Sequence, residues 1–375
     1  MKQETLISNK KFIPALTGLR AICAYGIFFY HVNPFSKELQ SSLFTIFDQF
    51  YSFIPFFFVI SGFVIFYTYY KPERYTGADL RRYFISRIAR IFPILIILNT
   101  LVFLLGYKEN LYSGFEAIKL YLLNITLLKG FFSNFFLTGI GPSWTNSVEE
   151  IFYILAPSLF LLCRRRQFFV KFIILFYATG FLLTCIFSNV PFYSFLNSFK
   201  FTAYFTFFGR VFEFASGIYL AMLFLGLHKN KYLEKMKTAT LPLGILLLVF
   251  SYTLLYFIST CYKVAHANEV WPGIIVNNFL FPLSIFFILY SLLYCKNLFQ
   301  RLLSSRLMVN LGNATYSFYL LHTTFVLSYI YKYLSKNIFI AFFTMVIIAY
   351  IFFRLVEQPI AKFIKRKLIQ KKGIV

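Results

Sequence analysis

Residues 12–35 read FIPALTGLRAICAYGIFFYHVNPF and form the first apolar stretch of the chain. The stretch is long enough to cross a bilayer as a helix, which takes about 20 residues. It also contains Arg20 and His31, which lie 11 residues apart. On an α-helix this spacing leaves the two side chains about 20° apart around the axis and about 16 Å apart along it. Because ionisable groups inside a membrane span are costly, this stripe predicts a functional site.

The composition predicts an integral membrane protein. Of the 375 residues, 59% are hydrophobic and only 13% are charged, whereas soluble domains carry about 25% charged residues. The net charge of +24 is compatible with nucleic-acid binding, but the basic residues lie in short segments between apolar runs, as the positive-inside rule requires. No nucleic-acid partner is therefore expected. The four histidines lie at no metal-ligand spacing from a carboxylate or thiol, so no metal site is expected.

Apolar runs of roughly 20 residues predict about ten transmembrane helices in one all-α bundle. These runs lie near residues 13–34, 43–70, 91–107, 145–163, 168–187, 207–227, 239–258, 272–294, 307–331 and 337–357. A further apolar segment, 115–140, is predicted to be re-entrant or interfacial, because a single crossing here would invert every later loop. Residues 1–375 are expected to form a single domain with no appended soluble domain, and the sequence leaves the oligomeric state open.

The basic residues also predict the orientation. Positively charged loops face the cytoplasm. The opposite loops contain only eight Lys or Arg residues, whereas 26 of the 37 lie in residues 1–11, 71–90, 164–171, 228–237, 296–306 and 362–372. Both termini are therefore expected in the cytoplasm.

The first cytoplasmic loop ends in RRYFISRIARIFP, which places Arg87 and Arg90 where the third span begins. Residues three apart are neighbours on one face of a helix. One interpretation is an ordinary positive-inside cluster that touches lipid headgroups. The other is a fork pair that grips the phosphates of a cytoplasmic donor. The spacing alone leaves both open.

The sequence PSWTNSVEEIFYIL, at the outer start of the fourth span, contains the adjacent acids Glu149 and Glu150. Acidic residues stabilise a helix N-terminus, so capping explains one of them. The alternative is that one acid pairs with His31, which the predicted topology places on the same outer side. A carboxylate paired with an imidazole fixes its tautomer and raises its basicity, as a general base needs.

Two later segments contain oppositely charged residues three positions apart. GRVFEFASG contains Arg210 and Glu213, and FRLVEQP contains Arg354 and Glu357. This spacing predicts an ion pair in each case. A structural role is the favoured interpretation of both pairs, and contact of the first pair with a polar acceptor is its alternative.

The sequence NATYSFYLLHTTF places Tyr316, Ser317 and His322 in the ninth predicted span. Ser317 and His322 are five residues apart, too far round a helix to meet directly. No Ser–His nucleophile is therefore predicted. A single intramembrane histidine is more often a packing group than a catalyst, so Tyr316 and His322 are interpreted as polar residues that either pack the bundle or contact an acceptor.

Taken together, these stretches resemble the acyltransferase 3 family of membrane-bound O-acyltransferases over nearly the whole chain. The matching segments, in order, are LTGLRAICAYGIFFYHV, FFFVISGFVIF, RRYFISRIARIFP, SWTNSVEEIFYIL, GRVFEFASG, YSFYLLHTTFV and FRLVEQP. Residues at the family's motifs are Arg20 and His31, the R-x-x-R pair Arg87 and Arg90, and the S-V-E residues Ser147, Val148 and Glu149.

The resemblance implies a ten-span protein of the bacterial inner membrane that transfers an acyl group, usually acetyl, from cytoplasmic acyl-CoA. The implied acceptor is a sugar hydroxyl of an envelope glycan, such as lipopolysaccharide O-antigen or exopolysaccharide, and membrane lipids surround the enzyme. No permanently bound cofactor is implied.

The implied residue roles follow the donor's path. Arg20, Arg87 and Arg90 would bind acyl-CoA, His31 would act as base or transient acyl carrier, and Glu149 would orient it. The alternative is a transporter or flippase in which the same charged residues line a path, although the sequence shows no internal repeat of the kind common in transporters.

Overall fold

A computed structural model of the chain describes residues 10–35, 42–111, 113–162, 166–190 and 192–369, and the structural statements below concern these residues. Over these ranges the protein is all-helical, with no β-strand and one isolated bridge between Phe132 and Phe195. The predicted all-α fold is therefore confirmed. Arg164 and Arg165, which contribute to the predicted orientation, lie outside the described residues.

The α-helices are numbered here in chain order. They are α1 Pro14–His31, α2 Ser42–Asp48, α3 Ile54–Tyr69, α4 Gly77–Lys108, α5 Gly114–Ile125, α6 Trp144–Leu162, α7 Arg166–Phe187, α8 Phe199–Phe205, α9 Phe207–Phe224, α10 Lys231–Lys235, α11 Thr240–Tyr262, α12 Trp271–Ile275, α13 Phe281–Tyr294, α14 Leu298–Leu303, α15 Arg306–Asn313, α16 Thr315–Leu321, α17 Phe325–Tyr333, α18 Ile338–Phe352 and α19 Gln358–Ile369.

Seven helical segments in the described ranges are long and apolar enough to span a membrane. They are Ser42–Tyr69, Gly77–Lys108, Phe169–Phe187, Phe199–Phe224, Lys237–Tyr262, Trp271–Tyr294 and Ile338–Ile369. The protein is thus a multi-pass membrane protein. The count of about ten stays a prediction, because α1 carries Arg20 and His31, and α6 carries Glu149 and Glu150, which lower the hydropathy of both helices.

The ninth predicted span, 307–331, is divided into the three short helices α15, α16 and α17. One break lies at Thr324, whose backbone is extended and whose side chain accepts a hydrogen bond from the amide of Val326. This break matters for the site, because it ends the hydrogen-bonding ladder of α16 at His322.

The segment 115–140 begins with α5, whose 12 residues are about 18 Å long and too short to cross the hydrocarbon core. A short 3₁₀ turn at Leu128–Phe131 follows. The segment is therefore interrupted, as its sequence predicts, and its depth in the membrane stays a prediction.

The interior of the bundle is formed by the spans that contain α3, α9 and α13. In the most apolar windows of Ser42–Tyr69 and Phe199–Phe224, 72% of the residues are buried, against 17% in Lys237–Tyr262 and in Ile338–Ile369. The first two spans therefore form the core, and the last two expose apolar side chains to the surroundings, as lipid-facing helices do.

Glycines allow the central helices to approach closely. A Cβ added to Gly217 of α9 would lie 2.0 Å from the carbonyl oxygen of Val59 in α3, and a Cβ at Gly312 of α15 would lie 2.0 Å from the carbonyl oxygen of Thr17 in α1. Small residues at such contacts replace the hydrophobic driving force that is absent between helices in lipid. The contact at Gly312 holds α1, which carries Arg20 and His31, against the bundle.

A π-helical turn, Phe353–Glu357, joins α18 to α19. Hydrogen bonds from residue i to i+5 widen the turn, so residues three apart no longer share a face. Arg354 is exposed, whereas the buried Glu357 accepts a hydrogen bond of 2.5 Å from Ser317. The ion pair predicted between Arg354 and Glu357 is therefore wrong for this described segment.

Candidate functional site

Four neighbouring cavities lie along the bundle, and the candidate site is built on them. The first cavity has a volume of about 790 Å³ and is called the vestibule here. It shares Lys10, Lys362 and Lys365 as wall residues with a second cavity of about 610 Å³. The second cavity and a narrow neck of about 60 Å³ share Arg20 and Arg90.

The fourth cavity, of about 800 Å³ and called the histidine cavity here, shares Ile54 and Tyr319 with the neck and contains His31. The basic end of the bundle is the end at Lys362 and Lys365, and the histidine end is the end at His31. Because each cavity shares walls with the next, the four form a row between these ends.

The neck collects charged and hydroxyl-bearing side chains from α1, α3, α4 and α6. Its walls include Arg20, Arg90, Glu149 and Tyr153. The hydroxyl of Ser61 donates a hydrogen bond of 2.5 Å to Glu149, and Arg20 lies within electrostatic range of both Arg90 and Glu149. Two cations and one acid thus meet at the narrowest point of the row, where donated hydrogen bonds and positive charge would favour a polar or anionic ligand.

Arg87 and Arg90, predicted as a fork pair, are separated in the structure. Arg90 faces the neck and the second cavity, but Arg87 lines none of the four cavities. The guanidinium carbon of Arg87 lies 5.4 Å from the ring centre of Tyr69 and 5.7 Å from that of Tyr153. Nη2 of Arg87 also donates to the hydroxyl of Tyr69 at 3.2 Å. Arg87 therefore packs between helices through cation–π contacts with these two tyrosine rings.

His31, the last residue of α1, is exposed at the wall of the histidine cavity. Its ring centre lies 5.2 Å from that of His322 and 4.7 Å from that of Tyr30. Glu149 lies instead at the neck, on Ser61. Among the described residues there is no hydrogen bond between Glu149 and His31, so the pairing expected from the sequence is not found.

His322 is fully buried behind His31, at the break that ends α16. Its Nδ1 lies 2.9 Å from the carbonyl oxygen of Tyr319 and 3.3 Å from that of Phe318. A carbonyl oxygen only accepts, so Nδ1 is the protonated nitrogen and Nε2 of the neutral ring is an acceptor. Nε2 has no hydrogen-bond partner in the described part of the chain. A buried acceptor without a partner beside His31 points to a role for His322 beyond packing.

A third histidine at this end, His266, was not singled out from the sequence. Its Nδ1 lies 3.0 Å from a carboxylate oxygen of Asp48, and its Nε2 lies 3.1 Å from the hydroxyl of Tyr30. Burial lowers the pKa of His266, but the hydrogen bond and charge of Asp48, the backbone of Ala265 and the charge of Glu269 together outweigh burial, so this pKa lies above its ordinary value. No local pattern could have revealed this network, since His266 is more than 200 residues from both of its partners.

Arg210 and Glu213 form the ion pair that their spacing predicts, at 2.7 Å and with both side chains fully buried. Arg210 also donates to the carbonyl oxygen of Tyr204 at 2.7 Å and to the side chain of Asn278 at 2.9 Å. Neither member of the pair lines the four cavities. These contacts support the structural interpretation.

The other predicted polar residues are divided between the site and the packing. Tyr316 lines the neck and donates a hydrogen bond of 2.9 Å to the carbonyl oxygen of Ile91. Ser147 is buried against Gly130 and faces no cavity of the row. Within the described residues no cluster of three or more His, Cys, Asp or Glu side chains could hold a metal ion.

These features define a multi-pass helical membrane protein with a row of cavities that is lined by Arg20, Arg90 and Glu149 at the neck and by His31 at one end. Residues 13–354 match the family Acyl_transf_3, described as an acyltransferase domain. The chain therefore belongs to this family of acyltransferases, which confirms the resemblance stated from the sequence.

Relatives in Staphylococcus aureus agree with this assignment. The O-acetyltransferase OatA of strain NCTC 8325 / PS 47 is 26% identical over 384 residues, which cover 94% of this chain and 58% of OatA. The protein SACOL0978 of strain COL, whose name marks it as a provisional O-acetyltransferase, is 26% identical over 378 residues, covering 96% of this chain and 59% of that protein. The chain thus spans about three fifths of the length of these relatives. No solved structure was found to match it.

Proposed function

We propose that this protein is a membrane O-acyltransferase that moves an acyl group, most simply acetyl, from acyl-CoA to a hydroxyl group of a cell-envelope glycan. The observation that carries the proposal is the row of cavities that begins at a cluster of basic residues, narrows between Arg20 and Arg90, and ends at His31. An anionic donor and a neutral hydroxyl acceptor require these two different ends.

The donor would enter from the basic end, which we assign to the cytoplasm on the strength of the positive-inside rule. Its pantetheine arm is long and uncharged, so it fits a narrow passage better than the nucleotide does. Arg20 and Arg90 at the neck would contact the polar groups of this arm, and the thioester would approach His31 from below. The acceptor would enter from the opposite side, through the histidine cavity.

The transfer itself needs a base near the acceptor. One ring nitrogen of His31 would take the proton of the acceptor hydroxyl as the hydroxyl oxygen attacks the thioester carbonyl carbon. The C–S bond then breaks, the new C–O ester bond remains, and the CoA thiolate receives the proton from the His31 imidazolium. A positioned base of this kind contributes about 10²–10⁴-fold to rate.

His322 would position that base. Its unpartnered Nε2 can accept an N–H from His31, which would hold the ring and leave the second nitrogen of His31 free as the proton acceptor. In this scheme Glu149 acts at the neck with Ser61 and Arg20, and does not orient His31 directly.

The proposal is tested with inside-out membrane vesicles that carry the acceptor glycan in their lumen. Acetyl-CoA labelled in the acetyl group is supplied outside, and the label in the glycan is measured by mass spectrometry. We expect incorporation by the wild type and none by His31→Ala at equal protein level. Label that enters the lumen without joining the glycan would instead support a transporter.

A further inference from the structure

The vestibule at the basic end is not explained by the acyl-transfer chemistry, which takes place at the other end of the row. It is formed where the start of the chain, the connection between α3 and α4, and the last helix α19 meet. Its basic wall residues are Lys10, Lys71, Arg82, Lys362, Lys365 and Arg366. Three separate segments thus direct positive side chains at one space of about 790 Å³.

Most of this charge is not neutralised within the protein. Asp79 is the acidic residue in the vestibule wall, and it pairs with Lys71 at 2.5 Å. In the described ranges no ion pair is formed by Lys362, Lys365 or Arg366, all of which are exposed. Lys365 also lies within electrostatic range of Arg87 and Arg90. Like charges held together without counter-ions raise the local positive potential and favour a polyanionic ligand.

The spacing on α19 directs these side chains to one side. Positions 362, 365 and 366 follow the i, i+3, i+4 rule, so the three residues share a face of the helix, and this face forms the vestibule wall. Lys367, on the same helix, lines neither the vestibule nor the second cavity. On α19, therefore, Lys362, Lys365 and Arg366 face the vestibule, whereas Lys367 does not.

The vestibule also has aromatic walls that could bind a flat ring. Tyr75 stacks on Phe160 with ring centres 5.8 Å apart, and Tyr69 meets Tyr83 edge-on at 4.8 Å. Tyr69 and Tyr75 are partly exposed in the vestibule wall, whereas Tyr83 and Phe160, which pack against them, are buried. A nucleobase that stacks on one of the partly exposed rings would add to the affinity, whichever base it is. A lipid headgroup has phosphate but no aromatic base, so the aromatic walls favour a nucleotide.

We propose that the vestibule binds the nucleotide end of the donor, the 3′-phosphate, diphosphate and adenine of CoA, with Lys362, Lys365 and Arg366 as its phosphate contacts. This proposal rests on the proposed function, in which the donor is acyl-CoA. It moves to the vestibule the phosphate-binding role that the family resemblance implies for Arg87, because the guanidinium of Arg87 lies between two tyrosines. The pantetheine arm then leaves the vestibule through the second cavity, whose wall shares Lys362 and Lys365.

The test uses the purified full chain in nanodiscs of neutral phosphatidylcholine. Lys362→Gln/Lys365→Gln removes two charges from the vestibule, and Arg354→Gln/Lys367→Gln removes two exposed charges from the same part of the chain as a matched control. Equilibrium binding of CoA and of dephospho-CoA, which lacks the 3′-phosphate, is measured for each protein. Acetyl transfer to the acceptor glycan is measured with acetyl-CoA and with acetyl-pantetheine, which has no nucleotide.

We expect the vestibule variant to weaken CoA binding by about 10- to 100-fold and dephospho-CoA binding by less. Its KM should rise for acetyl-CoA and stay unchanged for acetyl-pantetheine, and the control should resemble the wild type. Wild-type affinity for CoA in the vestibule variant would overturn the proposal, as would an equal loss with acetyl-pantetheine. An effect seen only after anionic lipid is added would also overturn it, since the ligand would then be a headgroup.

The two proposals fail in different ways. If the wild type binds CoA through the vestibule but transfers no acetyl group from either donor, the nucleotide site stands and the proposed function is wrong. If the wild type transfers acetyl groups while the vestibule variant keeps its CoA affinity, the proposed function stands and the nucleotide site is wrong.

Discussion

The vestibule and the histidine cavity have nearly the same volume, about 790 and 800 Å³, but their walls differ in chemistry. The vestibule has six basic side chains and one acidic side chain. The histidine cavity has His31 and His266 among aromatic rings such as Trp144 and Tyr204. The first surface suits a polyanion, whereas the second suits a sugar that stacks on rings and gives up a proton.

Under the proposed function, this difference would let one bundle serve two substrates that reach it from opposite sides of the membrane. The basic residues near a membrane surface satisfy the positive-inside rule wherever they point, but on α19 three of them point into a cavity. His322 cannot be explained in the same way, because it is fully buried with Nε2 unpartnered in the described part of the chain, and a buried polar group is costly unless it is used or paired. Substitutions at the histidine end and at the basic end should therefore have different effects on transfer and on CoA binding.

The largest effect is expected for His31→Ala at the histidine end. Removal of the base should lower acyl transfer by about 10²–10⁴-fold, while CoA affinity stays at the wild-type value because the donor's nucleotide binds elsewhere. Initial rates and CoA binding are measured on the same preparation. His228→Ala is the matched control, since His228 lines none of the four cavities. A transfer rate near that of the wild type would refute the role of His31.

The next effect is expected for His322→Phe. Phenylalanine keeps the stacking on Phe318, whose ring centre lies 5.7 Å away, but it cannot accept a hydrogen bond from His31. Loss of a hydrogen bond at a buried site costs about 1–3 kcal/mol, so we expect kcat to fall by about 5- to 150-fold. The KM for acetyl-CoA should not change.

The conservative variant His322→Gln tests whether the role of His322 is merely structural. His322→Gln keeps an acceptor oxygen, so it should recover part of kcat, and the pH profile of kcat should be displaced in His322→Phe only. Equal rates for the two variants would count against the positioning role.

A smaller effect separates the two arginines of the R-x-x-R motif. Arg90→Gln should raise the KM for acetyl-CoA by about tenfold, the equivalent of one lost charge-assisted hydrogen bond. Arg87→Gln should act chiefly on stability, because it removes the guanidinium from between Tyr69 and Tyr153. KM and thermal unfolding are measured for both. A larger increase in KM for Arg87→Gln than for Arg90→Gln would mean that Arg87 contacts the donor, as the predicted fork pair requires.

Helix geometry could predict the stripe of Arg20 and His31, since both lie on the single helix α1. It could not predict the partner of His31. Trp144 starts α6 in the histidine cavity, and Glu149 lies five residues further along the helix, which is about 7.5 Å deeper. A topology that assigns residues only to a side of the membrane cannot resolve that depth.

The remaining site residues depend on features that a single sequence does not reveal. His322 faces His31 because the ninth span breaks just beyond it, and the apolar periodicity of that span contains no sign of the break. His266 meets Asp48 only through the tertiary fold. The charge pattern predicts which segments are basic, but it could not show that Arg87 is stacked between tyrosines while Lys365 faces a cavity.

The smallest effect concerns the pair of His266 and Asp48, and it is a change in the pH dependence of stability. Because the pKa of His266 is raised in the folded protein, its contribution to stability is fully present below the unfolded-state pKa of about 6.5 and is lost as pH rises through the folded-state pKa. Asp48→Asn removes the carboxylate charge, so the difference in stability between wild type and variant should be largest at mildly acidic pH, where the imidazolium and the carboxylate are both charged, and should shrink as pH rises, with a maximum of about 1 kcal/mol. Thermal unfolding of both proteins from acidic to alkaline pH measures this difference, and the vestibule variant Lys362→Gln/Lys365→Gln should follow the wild-type curve. A difference that does not vary with pH would mean that Asp48 stabilises the histidine end through packing rather than through the charge of His266.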